Sequence, residues 1–221
     1  WLSREVIALP LFMAGLAAWG AAHFIGWPIT RQLGALTALL CVALFVCTAM
    51  IYASIKFLRE WAHPLTLANY TLLGCASGLT LATLLAALQA PPLLRPYALG
   101  AMLFTLAGLL TRALSLRRNA RLKPKSTLQT ALGIKHPRIE QKAQGFMGGS
   151  YNTREFFHGK SALLLSQLKW LFIALAFVLP AAMLAMLAIL EVGSAAWSPL
   201  WFALAFALQY AGLLAERWFF C

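Results

Sequence analysis

The chain has 221 residues, 62% of them hydrophobic and 11% charged, with a mean hydropathy of +0.77. A soluble domain is about 45–50% apolar, and a surface in water cannot absorb the excess, so lipid must cover it. A net charge of +12 would suit a nucleic-acid binder if the chain were soluble; here it reads as the basic bias of loops on one membrane face, and no nucleic-acid partner is expected.

Six apolar stretches predict an all-α, polytopic transmembrane bundle forming one anchor domain over residues 1–221. They run Glu5–Trp27, Leu33–Ile55, Thr66–Ala90, Leu94–Leu114, Leu168–Leu190 and Trp197–Phe220. Each is close to the ~20 residues that carry a helix across a ~30 Å hydrocarbon layer. The chain opens on Trp1-Leu2-Ser3, without an initiator Met or a signal-peptide n-region, and reads as a piece or a processed chain.

The first stretch starts with Ser3 placed as an N-cap and Glu5 in the first turn, where a carboxylate favours the helix dipole. Glu5 also stands at the edge of the hydrocarbon, where a carboxylate can take a proton from a buried hydroxyl. The second stretch ends in Tyr52, Lys56, Arg59, Glu60 and His63. His63 is a group that titrates near neutrality or a plain loop residue. In the third, Gly74 and Gly78 share a face and read as packing positions. Pro10 and Pro180 fall inside stretches and predict kinks, whereas Pro199 opens the last helix harmlessly. That helix ends in Glu216 and Arg217, which snorkel or pair.

Between the fourth and fifth stretches lies a basic extramembrane loop, residues 115–160, too polar to span. Arg117, Arg118, Arg121, Lys123 and Lys125 come in one burst, Ser126–Gly133 suggests a short helix, and Gly145 to Gly149 marks a turn. Phe146, Tyr151, Phe156 and Phe157 argue for a surface that docks on a partner or on anionic lipid.

Because each helix crosses once, the loops alternate sides. Of the 18 Lys and Arg, only Arg31 and Arg95 fall on one side, and sixteen share the other, which the positive-inside rule places in the cytoplasm. Trp27, Trp61, Trp170, Trp197, Trp201 and Trp218 lie near helix ends, at headgroup level.

Several chemistries find no support. There is no C-x-x-C for zinc or an iron–sulfur cluster, no Asp for a nucleophilic triad and no P-loop. His23 and His63 stand at opposite faces, and His136 and His158 lie in the loop, so no haem pair is formed. No metal site is expected. No charge falls near a helix centre, as a pump or channel would usually require. From residues alone three readings stay open: a quinol-binding anchor, a purely structural anchor and a small-solute transporter.

The segment Tyr52-Ala53-Ser54-Ile55-Lys56-Phe57-Leu58-Arg59-Glu60-Trp61-Ala62-His63-Pro64 resembles the dimethyl sulfoxide reductase membrane-anchor family, DmsC. So do Leu122-Lys123-Pro124-Lys125-Ser126-Thr127, the run Gln144-Gly145-Phe146-Met147-Gly148-Gly149 and its continuation Asn152-Thr153-Arg154-Glu155-Phe156-Phe157-His158-Gly159. Leu2-Ser3-Arg4-Glu5 is similar to the start of the family's third helix, and Ala215-Glu216-Arg217 to the close of its last. The resemblance implies an eight-helix fold with two helices before Trp1. It implies an anchor that carries no haem and no iron–sulfur cluster, binds menaquinol or ubiquinol, and passes electrons to a four-cluster iron–sulfur subunit feeding a molybdopterin catalytic subunit. Anaerobic electron transport in the bacterial inner (plasma) membrane is the setting it implies. Glu5 matches the family glutamate implicated in quinol binding, while the family histidine before that helix would precede Trp1.

From these we expect Glu5 to act as proton acceptor and Glu5, Tyr52, His63 and Arg217 to form the quinol site. Arg117, Arg118, Arg121, Lys123, Lys125, Phe146 and Arg154 are expected to dock the iron–sulfur subunit on the same face.

Overall fold

A computed structural model describes residues 2–56, 58–122, 128–136, 162–189 and 199–220. Its elements are α1 (Leu2–Ile25), α2 (Thr30–Ala53), α3 (Pro64–Gln89), α4 (Pro91–Asn119), a short α5 (Leu128–Leu132), α6 (Ala162–Ile173), a π-helical segment (Ala174–Val178), α7 (Leu179–Ile189) and α8 (Pro199–Phe220). Among the described residues six helices are long and apolar enough to span a membrane, with α6, the π segment and α7 joined into the fifth. No strand occurs among them.

The starts follow local chemistry. Pro64, Pro91 and Pro199 open α3, α4 and α8, where a missing N–H costs nothing. Gly26 and Gly133 take positive φ values of 72° and 69° just after α1 and α5, where a Cβ would be strained. Inside the spans, Thr80, Thr83 and Thr105 hydroxyls donate to the carbonyls four residues back, which satisfies them without water.

The core lies between α3, α4, the fifth span and α8. Ala98, Ala101, Leu184, Phe202 and Ala86 fill one end; Leu73, Phe172, Ala176 and Phe177 fill the other. Helices α3 and α4 make the most extensive contact, whereas α2 packs on α3 and α1 packs on α2 at the margin. Gly74 meets the Phe45 ring of α2, as expected of a packing glycine, but Gly78 faces open space.

Two expectations about element ends change. Helix α4 continues through Ser115–Asn119, residues that polarity alone places in the loop; its last turn carries Arg117 and Arg118, and cations favour a helix C-terminus. The helix that carries the fifth span starts at Ala162, ahead of Leu168, and the span runs Ser166–Met186. The disruption expected at Pro180 takes the form of the π segment just before it. A proline cannot donate to the carbonyl four residues earlier, and that carbonyl, Ala176 O, receives Gln209 Nε2 from α8 at 3.5 Å. Gly212 of α8 lies against the same backbone.

Candidate functional site

The N-terminus of α1, the C-termini of α2, α4 and α8, and the N-terminus of α3 meet at one face of the bundle. Glu5, in the first turn of α1, reaches α2, where Thr48 Oγ1 donates to its Oε1 at 2.7 Å. Its other oxygen takes no hydrogen bond among the described residues, and the side chain is only partly buried. One turn beyond Thr48, the Tyr52 ring stacks on Tyr70 of α3, with centroids 5.6 Å apart, and meets Trp61 edge-on at 5.2 Å. Tyr70 in turn lies under the Arg217 guanidinium of α8, 3.6 Å from the ring centroid, a cation–π contact.

Deeper in the bundle, Arg112 Nη2 pairs with Glu216 Oε1 at 2.8 Å, both side chains being nearly sealed from solvent at 4% and 1% exposure. Arg217 Nε stands 3.5 Å from the second Glu216 oxygen. Beside this pair, Asn69 joins α3 to α4 by donating to Ser115 Oγ at 3.0 Å and accepting from Thr111 Oγ1 at 2.7 Å. Nearer mid-span, Gln209 Nε2 donates to Thr105 Oγ1 at 3.0 Å. Between the Gln209 and Glu216 levels, Leu73, Ala176 and Phe177 pack against Gly108 and Gly212, so the two polar levels are separated by apolar side chains.

His63 is the N-cap of α3: its Nδ1 accepts from the Leu65 N–H at 3.2 Å, which identifies the neutral ring with the proton on Nε2. Desolvation, then the Arg118 guanidinium, lowers its pKa below the ordinary 6.5. A depressed histidine pKa means that the unfolded chain takes the proton first. The cap's contribution is therefore complete above about pH 6.5 and is lost as pH falls through the lowered value. His63→Ala should cost about 1 kcal/mol at pH 8, as other N-cap losses do. At pH 5 it should cost less, and thermal unfolding in detergent at the two pH values measures the difference.

Comparison with known proteins decides the family. The profile of the DMSO reductase anchor subunit (DmsC) matches residues 1–220. The chain belongs to the DmsC family. It is 47% identical over 233 residues to a sulfite dehydrogenase subunit from Allochromatium vinosum, a match covering all of this chain and 70% of that protein. No solved structure matches. As a DmsC-type chain with six helices among the described residues long and apolar enough to span, it is a membrane-anchor subunit of an oxidoreductase, and membership implies association with a catalytic subunit.

Of the four residues expected around a headgroup in this DmsC-family chain, Tyr52 and Arg217 are joined through Tyr70, and Glu5 is bonded to Thr48, which stands one helical turn before Tyr52. His63 lies on the loop that carries Trp61, with its Nδ1 committed to the cap. Of the docking set, Arg117 and Arg121 are exposed. Arg118 is half-buried, donating through Nη2 to Arg59 O at 2.9 Å and through Nη1 to Asn119 Oδ1 at 3.0 Å, so it ties the α2–α3 loop to α4. Lys123, Lys125, Phe146 and Arg154 lie outside the described residues.

Sequence reasoning missed Tyr70 and the Arg112–Glu216 pair. A signal existed: Thr105, Gly108, Arg112 and Ser115 recur at helical spacing on α4, and Gln209, Gly212 and Glu216 do so on α8. Two faces of small and polar residues in apolar helices point to a shared buried seam.

Proposed function

We propose that this chain is the quinol-binding anchor of a molybdopterin oxidoreductase, passing electrons from menaquinol or ubiquinol to an iron–sulfur subunit seated on its basic face. The observation that carries the reading is the Glu5 carboxylate, held by Thr48 at 2.7 Å beside the Tyr52–Tyr70–Arg217 cluster. Val6, Leu9 and Met13 are exposed along α1, an apolar surface on which an isoprenoid tail can lie.

In this reading Glu5 takes the two hydroxyl protons in turn, one with each electron, and releases each toward the loop that ends at His63, while Tyr52 and Arg217 orient the ring. The two electrons leave to the partner's cluster. The quinone and the clusters supply the redox chemistry; the chain supplies position and a proton acceptor. Exposed Arg117 and Arg121 belong to the docking surface, and Lys123, Lys125, Phe146 and Arg154 are assigned to it from the sequence. The positive-inside bias favours the cytoplasmic face of a bacterial inner membrane for it, with anaerobic respiration as the setting.

The relative's activity favours a second direction through the same site. A sulfite dehydrogenase removes electrons from its substrate, so its anchor would deliver them to quinone. The catalytic partner, not this chain, sets that direction.

Glu5→Gln keeps size and hydrogen bonding but removes the base. In the complete complex, quinol-coupled turnover should fall by roughly 10²–10⁴. Turnover driven by a water-soluble dye at the catalytic subunit should not change. Undiminished quinol-coupled turnover would defeat the assignment.

A further inference from the structure

Among the described residues, Glu216 is the one carboxylate sealed inside the bundle, at 1% exposure. One of its oxygens is held by Arg112 at 2.8 Å. The other, Oε2, has no hydrogen-bond partner among the described residues. Arg217 Nε stands 3.5 Å from it, near enough to attract as a charge but too far to donate well. The Arg217 guanidinium is instead laid over Tyr70. A buried, unfilled acceptor on a charged group is costly, and such an atom calls for a reason: strain, a bound water or ion, or a role in binding or redox chemistry.

The surroundings say what donor Oε2 would take. Arg217 is 31% exposed and covers Oε2 from the side of the rim. Beyond it lie three half-buried rings in series, Tyr70 on Tyr52 and Tyr52 on Trp61. A ligand reaching Oε2 from the rim therefore needs a flat face for the rings and a hydroxyl at its leading edge.

We propose that Glu216 Oε2 is a second hydrogen-bond acceptor for the headgroup, filled by a ring hydroxyl of the quinol when Arg217 swings away from it. This rests on the quinol reading above and adds a specificity to it. A carboxylate paired with arginine only accepts. A quinol hydroxyl donates, whereas a quinone carbonyl only accepts. Glu216 therefore favours the reduced ring. Arg217, which only donates, complements the oxidised ring. The two neighbouring residues act as opposed selectors of redox form, and Arg112 is the positioning residue that fixes Glu216.

The competing account is that Arg112 and Glu216 merely clamp α4 to α8. Replacing both by apolar residues separates the two, because removing a buried pair together is far gentler than breaking it. The test uses the complete complex in lipid nanodiscs, under anaerobic conditions, with a short-chain ubiquinol and its ubiquinone titrated separately by calorimetry. For Arg112→Met/Glu216→Met the expected result is about a ten- to hundred-fold weaker quinol affinity, the worth of one hydrogen bond to a charged group, with quinone affinity changed less than about threefold. For Arg217→Leu, which leaves the buried pair intact but removes an orienting cation, quinone affinity should fall about tenfold and quinol affinity by clearly less than that. Equal affinities in the double variant and the native complex would overturn the proposal. So would an equal loss of both redox forms in either variant. A native complex that binds neither form sinks the underlying quinol reading instead.

Discussion

Arg112→Met alone should destabilise the anchor by about 3–5 kcal/mol, because it strands the Glu216 carboxylate in the bundle with its nearest cation gone. The pair joins α4 to α8 at 2.8 Å, and both side chains are almost fully shielded. Arg112 is also 5.7 Å from the Phe172 centroid, so its loss loosens the fifth span as well. The measurement is the thermal unfolding midpoint of the purified anchor in detergent, with its abundance in membranes as a second reading. Adding Glu216→Met should restore most of the loss, since two apolar side chains of similar length suit this surrounding. A single variant as stable as the native chain would show that the pair is open to water, contrary to the geometry.

The second large effect is expected at Gly212. A Cβ there would overlap the backbone N and Cα of Ala176, and backbone cannot step aside as a flexible side chain can. Gly212→Leu should therefore force α8 away from the π segment and cost at least ~3 kcal/mol. The displacement reaches further than the clash. Gln209, three residues earlier, loses its contact with the Ala176 carbonyl that Pro180 leaves open, and Glu216, four residues later, loses its register with Arg112. Loss of assembly with the partner subunits should follow. Gly78→Ala is the control: nothing lies within 4 Å of a Cβ there, and the variant should behave as the native chain does in the same unfolding assay.

These two positions mark how far a linear reading reaches into this protein. Spans are legible because hydrocarbon imposes a length and a composition on each crossing helix, and prolines at Pro64, Pro91 and Pro199 mark the starts. Sidedness is legible because it depends on where Lys and Arg fall relative to spans, not on packing. Glu5 is legible for the same reason: a carboxylate in the first turn of an apolar helix stands out. Arg112 does not. It lies near the end of a predicted stretch, where an arginine ordinarily snorkels to the headgroups. Only the continuation of α4 to Asn119 places it two turns inside, and only packing selects Glu216 of α8 as its partner. Tyr70 is likewise one aromatic among many until Tyr52 and Arg217 are seen to share it. The π segment has a single local cue, Pro180; its site depends on the glycine and the glutamine that α8 presents.

Glu5, Tyr52, His63, Arg117, Arg118, Arg121 and Arg217, the described residues of the expected site and docking set, belong to one rim, and the structure extends that rim inward. Glu5 and Tyr52 belong to the α1–α2 edge. Arg217 connects that edge to a sealed carboxylate. The same cluster thus offers an exposed acceptor, a partly exposed donor and a buried acceptor within the outer turns of α1, α2, α3 and α8.

The most direct test of the quinol reading is to locate the quinone. The assembled complex is illuminated with an azido-quinone in native-like lipid, and labelled peptides are mapped by mass spectrometry. Label concentrated on peptides holding Glu5, Tyr52, Tyr70 or Arg217, and competed away by unmodified quinone, is the predicted result. Competed label at the opposite rim, around Trp27, Arg31 and Arg95, would contradict it.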